Sequence, residues 1–392
     1  MASRSGFQHA TPPFRTFSGE KALAALPKEL DRLGRSRAVV VGGPWLAGFP
    51  AVARRVEDAL GPRLAGWFND VEEHSPVPSV LAARDCLKAL GADSVIAVGG
   101  GSSIVTARAA TILLAESGDV KDLSTQRRPD GSLHSPRLEA AKIPNWVIPS
   151  TPITAYAKAG SAVRDPETGG RLALFDPKTR AQGVFFDPEV AVTAPLGLVT
   201  SAALNSFSMA IESLQAGADD PLADALLMHA LRMLVEWMPR VRSEPNAPEP
   251  RLQLMAAALL CGQGSDYVGG GLAQAISHAA GPRSAVANGT VEAMLLPHTM
   301  QFSAPATEPR MALIADILDP LGRGQSSEET RAISGATAML VDLGLPQRLR
   351  DVAISRSAIP EIVSHALEDW SITRVPRPVG PDDLTELLES AW

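Results

Sequence analysis

The chain has 392 residues, a formal net charge of −7, 45% apolar and 20% charged residues. That length exceeds one ordinary core and predicts two domains of a soluble globular protein. Acidic and basic residues are interspersed, which argues against a nucleic-acid or anionic-membrane surface, and no apolar run approaches the ~20 residues that span a bilayer. Met1 to Thr16 lack the apolar core of a signal peptide. Cys86 and Cys261 stand far apart in apolar surroundings, with neither metal nor disulfide spacing. A cytoplasmic protein is therefore expected.

Along the chain, Ala38-Val39-Val40-Val41 reads as a buried strand stopped by Gly42-Gly43-Pro44. Apolar positions from Val77 to Leu90 recur at helical spacing, with Gly91 as the stop. Ser94 to Val98 predicts a second buried strand, followed by Gly99-Gly100-Gly101-Ser102 and a helix to about Glu116. Lys121 to Lys142 is polar, with Pro and Gly, and reads as a surface excursion. Trp146-Val147-Ile148 and Val184-Phe185-Phe186 are further strands. Strands separated by helices imply a parallel sheet with crossover helices. After Pro195 the pattern turns helical: Leu204–Leu214, Leu226–Trp237, Leu252–Leu260, Gly271–His278 and Glu329–Leu343. The expected fold class is an α/β, Rossmann-like domain over 1–195 plus an all-α domain over 196–392.

Gly99-Gly100-Gly101-Ser102 follows a strand and opens a helix. Glycines there let the backbone approach a pyrophosphate, and the helix N-terminus supplies amides and positive dipole. A tight strand–helix turn without a ligand is the bland alternative. Several further segments decide between them. The stretch GADSVIAVGGGSSIVTARAA resembles the GGGS segment of iron-containing alcohol dehydrogenases, and VIPSTPITA resembles that family's PTT segment. GVFFDPEV, GLAQAISHAAG and EAMLLPHTMQFSAPA are similar to later family motifs in the same order. VTSAALNSFSMAIESL and PRPVGPDDLTELLESAW are most similar to the maleylacetate reductase-like branch. The resemblance covers nearly the whole chain and implies a Rossmann-like domain followed by a helical one, with NAD or NADP as cofactor.

By position, the resemblance puts Gly99, Gly100, Gly101 and Ser102 on the pyrophosphate, with Ser150, Thr151 and Thr154 towards the nicotinamide. Gly43 stands where the family often has the aspartate that binds the adenosine ribose. Losing that carboxylate removes repulsion against a 2′-phosphate, so NAD and NADP both stay open. The family's GGGSxxDxxK aspartate is Val105 here, and its last position is Arg108.

The family holds a divalent ion with an aspartate and a histidine one helical turn apart, then two further histidines. The matching positions are Asn205, Met209, Gln274 and Asn288, all neutral. Amides and a thioether make a very poor site for iron or zinc, so no metal is expected. Asn205, Gln274 and Asn288 are instead candidate substrate contacts. His278, four residues after Gln274, matches the family histidine that relays protons near the nicotinamide.

Without a metal, oxidation of an alcohol needs a general base or hydrogen-bond donors. His278 is the first candidate, against a satisfied cleft histidine. Tyr156 with Lys158 is the second, against a packed phenol and a solvated lysine. Arg283 would clamp a substrate carboxylate, against a plain surface arginine. The expected function is a metal-independent oxidoreductase of a small hydroxy or keto acid, and the resemblance implies a homodimer. A narrower version resembles the daptide-type peptide-tailoring dehydrogenases of natural-product pathways. These oxidise a C-terminal threonine to a β-keto acid that loses CO2, which would bring in a pathway partner protein. Other readings are a non-catalytic scaffold subunit, a maleylacetate reductase-like reductase, and a lyase reusing the cleft.

Overall fold

The computed structural model describes residues 7–128, 130–216, 219–322, 324 and 326–392. The chain forms two compact units, one of Pro12–Ala194 and one of Met1–Thr11 with Pro195–Trp392. Grouping the N-terminal segment with the helical unit departs from the sequence expectation. Its described part is tied there by His9, whose Nδ1 lies 2.6 Å from Asp220 Oδ2. Asp220 also caps a helix through the amides of Leu222 and Ala223.

The α/β unit holds ten strands: β1 Arg15–Ser18, β2 Ala38–Val41, β3 Leu64–Phe68, β4 Ser94–Gly99, β5 Gln126–Arg127, β6 Leu133–His134, β7 Asn145–Pro149, β8 Gly160–Arg164, β9 Arg171–Phe175 and β10 Gly183–Phe186. Six form one sheet in the order β1-β10-β7-β4-β2-β3, with every pairing parallel. Its central strands are buried along their whole length, as continuous apolar runs such as AVVV and SVIAVG require. Helices α1 Leu26–Arg32, α2 Pro50–Leu60, α3 Val77–Ala89, α4 Gly101–Ala115 and the short α5 Pro188–Ala191 complete the unit. Leu26, Leu30, Val40, Val56, Ile96, Trp146 and Phe185 share one of its apolar clusters. The edge strands β1 and β3 escape sequence reading because they are only partly buried. The polar stretch after α4 carries the exposed β5–β6 hairpin, and β8 and β9 form a second antiparallel pair.

The helical unit contains α6 Leu196–Gln215, α7 Pro221–Ser243, α8 Pro248–Val268, α9 Leu272–Ala280, α10 Asn288–Leu318, α11 Glu328–Asp342, α12 Ile359–Glu368 and α13 Pro381–Ala391. The long α10 was hidden in the sequence by Pro297, Pro305 and Pro309. It spans them with a kink, where Thr307 leaves helical geometry (φ −129°, ψ 19°). Leu272, Ile276, Leu295, Ile362 and Leu388 anchor a core cluster joining α9, α10, α12 and α13. Among the described residues, no helix is long and apolar enough to cross a membrane.

Candidate functional site

The strands β7, β4 and β2 are neighbours in the sheet and run parallel, so the loops leaving their carboxyl ends emerge side by side. These loops are Ser150–Thr154, Gly99–Ser102 and Gly42–Pro44. Sequence order reverses here, since the chain goes from β2 outward to β3 and then returns to β4 on the opposite side. That is the switch point at which open α/β sheets bind ligands.

Gly99 has φ +131°, which a residue with a Cβ rarely adopts, and an added Cβ would lie 2.7 Å from Ser103 Oγ. Its carbonyl accepts from Ser150 N at 3.0 Å, stitching the two loops together. A Cβ on Gly100 would lie 3.2 Å from Thr151 Oγ1, so these backbones are in close approach. No side chain caps α4 at Gly100, and its first turn holds no acidic residue. The leading amides and the positive end of the helix are thus placed for an anion. Ser102 Oγ accepts from His74 N at 3.1 Å, which orients the hydroxyl. Ser150, Thr151 and Thr154 are buried. At Gly43 an added Cβ would meet the Trp45 indole at 2.9 Å. Trp45 therefore fills the space of a longer side chain at that position.

Arg108 is buried within α4 and donates to the carbonyls of Gly160 at 2.6 Å and Ala155 at 2.5 Å. It fastens the segment after the PTT-like loop to the helix behind the glycines. Tyr156 is fully buried, with its ring edge-on to Phe186 at 5.8 Å. The Tyr156 ring is thus enclosed, as are Thr151 and Thr154 in the same stretch. Lys158 is half-buried at the end of the turn Thr154–Ala157.

In the helical unit, Asn205 and Met209 lie one turn apart on α6, Gln274 and His278 one turn apart on α9, and Asn288 opens α10. Three side-chain links hold these helices together. Asn205 Nδ2 donates to Glu292 Oε2 at 2.6 Å, joining α6 to α10. Glu212, at the far end of α6, accepts from Ala273 N at 2.6 Å and Gln274 N at 3.3 Å. The Asn288 side chain occupies the space a Cβ would take at Gly281, directly after α9. Gln274 Oε1 accepts from Ser371 Oγ at 2.9 Å.

His278 Nδ1 lies 2.7 Å from Asp369 Oδ2, and Trp370 is tilted against the ring at 5.3 Å between centroids. Burial pushes the Asp369 carboxyl up. The charge and hydrogen bond of His278, with hydrogen bonds from Ser371, outweigh it and hold the carboxyl below its ordinary value. Burial also pushes the Glu212 carboxyl up, to about 7, against hydrogen bonds from Ala273, Gln274, Thr299 and Leu272 that pull it down. Arg283 donates to the Ala279 carbonyl at 2.6 Å and pairs with Glu361. Arg283 therefore already holds one carboxylate, that of Glu361, while its side chain stays partly exposed.

A divalent ion needs imidazole, thiolate or carboxylate donors. Here Met209 is a buried thioether, Asn205 spends an amide donor on Glu292, and the Gln274 oxygen is taken by Ser371. This set does not fit the metal of the family named above. The glycine loop does fit a dinucleotide, through its uncapped helix and close backbone approach.

The profile described as iron-containing alcohol dehydrogenase matches residues 13–188, and the family's C-terminal profile matches 199–392. The chain belongs to the iron-containing alcohol dehydrogenase family. Within it the chain falls in the maleylacetate reductase-like branch. It is 29% identical to the maleylacetate reductase of Rhizobium sp. (strain MTP-10005), over 98% of this chain and 97% of that protein. It is 27% identical to the lactaldehyde reductase of Escherichia coli (strain K12), over 95% and 97%. The crystal structure of the Rhizobium reductase superposes with a TM-score of 0.80 at 26% identity, covering 99% of this chain and 98% of that one. A 1,3-propanediol oxidoreductase structure shares the fold of this family at a TM-score of 0.90 and 21% identity, over 99% and 100%.

Three residues of the helical unit were not singled out from the sequence. Asp369 lies 91 residues from His278, and no local pattern links them. Glu212 and Glu292 did carry a signal. The first stands seven residues after Asn205 on α6 and the second four after Asn288 on α10, so each shares a helix face with a singled-out position.

Proposed function

We propose that the protein is an NAD(P)-dependent oxidoreductase of the alcohol dehydrogenase type that interconverts a hydroxy acid and a keto acid without a metal ion. The cofactor class and reaction type follow from the family. The acid substrate is supported by relatives named for maleylacetate, a keto acid.

The observation that carries the reading is the His278–Asp369 pair at 2.7 Å. A carboxylate accepting from Nδ1–H would fix the imidazole's orientation and tautomer, with Nε2 as the nitrogen that exchanges a proton with a substrate hydroxyl. Gly99, Gly100, Gly101 and Ser102 would hold the pyrophosphate, and Ser150, Thr151 and Thr154 would line the nicotinamide end. Gly43 offers the adenosine ribose no carboxylate. When bound there, a nicotinamide would supply the hydride acceptor for alcohol oxidation and the hydride donor for the reverse reduction. His278 takes the hydroxyl proton as the carbonyl forms and returns it in the opposite direction. Asn205, Gln274 and Asn288 supply amides where the family has an aspartate and two histidines, and so suit hydrogen bonding to a substrate oxygen.

A narrower candidate substrate is a peptide ending in threonine, whose oxidised product can lose CO2 without a metal. Oxidation of its β-hydroxyl gives a β-keto acid, which loses CO2 through its own carboxyl group. The test incubates chelator-treated protein with NAD(P) and either small hydroxy acids or threonine-ended peptides. The reading expects nicotinamide reduction with one class, and for the peptide a product lighter by CO2 plus two hydrogens. If neither NAD(H) nor NADP(H) binds to the metal-stripped protein, the reading is wrong.

A further inference from the structure

Helix α9 carries both Gln274 and His278, and two anchors hold it. Along its side, the segment Asp369–Ser371 binds His278 and Gln274. At its start the anchor is Glu212, a carboxylate 5% exposed that the proton transfer above does not use. Its two oxygens accept from the amides of Ala273 at 2.6 Å and Gln274 at 3.3 Å. The backbone before the helix is pressed against it, since a Cβ on Gly271 would lie 2.5 Å from Glu212 Cδ.

Two amides of the first turn converging on one buried carboxylate leave the start of α9 little freedom to slide or rotate. A nine-residue helix transmits that constraint as a rigid rod of about 13 Å. We infer that Glu212 is a positioning residue for His278: by fixing the first turn of α9 to α6, it sets the imidazole in line with Asp369. The inference rests on His278 as the proton carrier, but it makes a separate claim about where that ring is held.

Above about pH 7, where Glu212 is ionised, it accepts from both amides and presents no donor. Glu212→Gln turns one acceptor into an N–H donor facing another N–H, which pushes the helix start away. Gly271→Ala disturbs the same contact from the opposite side and keeps the carboxylate.

The experiment records the Nδ1 and Nε2 resonances of His278 in protein labelled with 15N-histidine, assigned by their loss in His278→Asn. Both Glu212→Gln and Gly271→Ala are expected to move these resonances while circular dichroism stays native. Turnover is expected to fall about 10-fold or more, as small misplacements of a reacting group do, with dinucleotide Kd unchanged. In the His278→Asn background, Glu212→Gln is expected to have no further effect on kcat. Unmoved His278 resonances in whichever of the two variants folds would overturn the inference. So would an equal fractional loss of kcat with and without His278. Full activity of His278→Asn would instead remove the proton-carrier role, while the resonances still decide where Glu212 places the ring.

Discussion

His278 and Asp369 are useful to one another only as a pair. Nδ1 lies 2.7 Å from the carboxylate, so in the proposed mechanism the proton exchanged with substrate is carried on Nε2. His278→Asn is expected to lower kcat by about 10²–10⁴-fold with dinucleotide Kd unchanged, as loss of a general acid–base does. Asp369→Asn is expected to lower kcat less, because the ring remains but its tautomer is no longer fixed. Steady-state kinetics with separately measured cofactor binding check both. Glu212 has a thermodynamic signature of its own. Its carboxyl is raised from an ordinary 4.5 to about 7 by burial. Between those values the folded chain keeps a proton that the unfolded chain releases, so stability falls by roughly 3 kcal/mol as pH rises through the window. Below the window that contribution is whole, and above it the contribution is gone. Urea unfolding of wild type and Glu212→Gln from pH 4.5 to 8 is expected to give a difference that drifts in the variant's favour as pH rises. A constant difference would show that Glu212 titrates normally.

At the scale of elements, the glycine turn between β4 and α4 has two separable properties. Gly99 supplies a backbone conformation, with φ +131°. Gly99→Ala is expected to cost at least about 1 kcal/mol in urea unfolding, from a backbone that a Cβ disfavours and from collision with Ser103 Oγ. Gly100 supplies approach. Gly100→Asp sets a carboxylate at the N-terminus of α4, where a pyrophosphate would compete for the same amides. Fluorescence titration is expected to show NAD(H) and NADP(H) binding lost in this variant, with its melting temperature near that of the wild type. The helical elements α6, α9 and α10 are tied by Glu212, Asn205–Glu292 and Asn288.

For the whole molecule, the neutral set at Asn205, Met209, Gln274 and Asn288 predicts indifference to metals. Exhaustive chelation is expected to leave dinucleotide binding and turnover unchanged, and added Fe²⁺ or Zn²⁺ to restore nothing. Loss of turnover on chelation, recovered by either ion, would refute this. The sequence by itself determined the class of fold and the glycine turn, because both are local properties. A buried parallel strand is a continuous apolar run, an amphipathic helix repeats every 3.6 residues, and a turn needs glycine where φ is positive. It also determined the charge type at Asn205, Met209, Gln274 and Asn288, since none of these four side chains is ionisable. Tertiary structure decided which groups meet. Only packing places Tyr156 inside the core against Phe186, Arg283 against Glu361, and Asp369 against His278 across 91 residues of chain. It also carries α10 through three prolines that local propensity reads as breaks. Such contacts are set by the burial of many side chains together, and no window of sequence contains both partners.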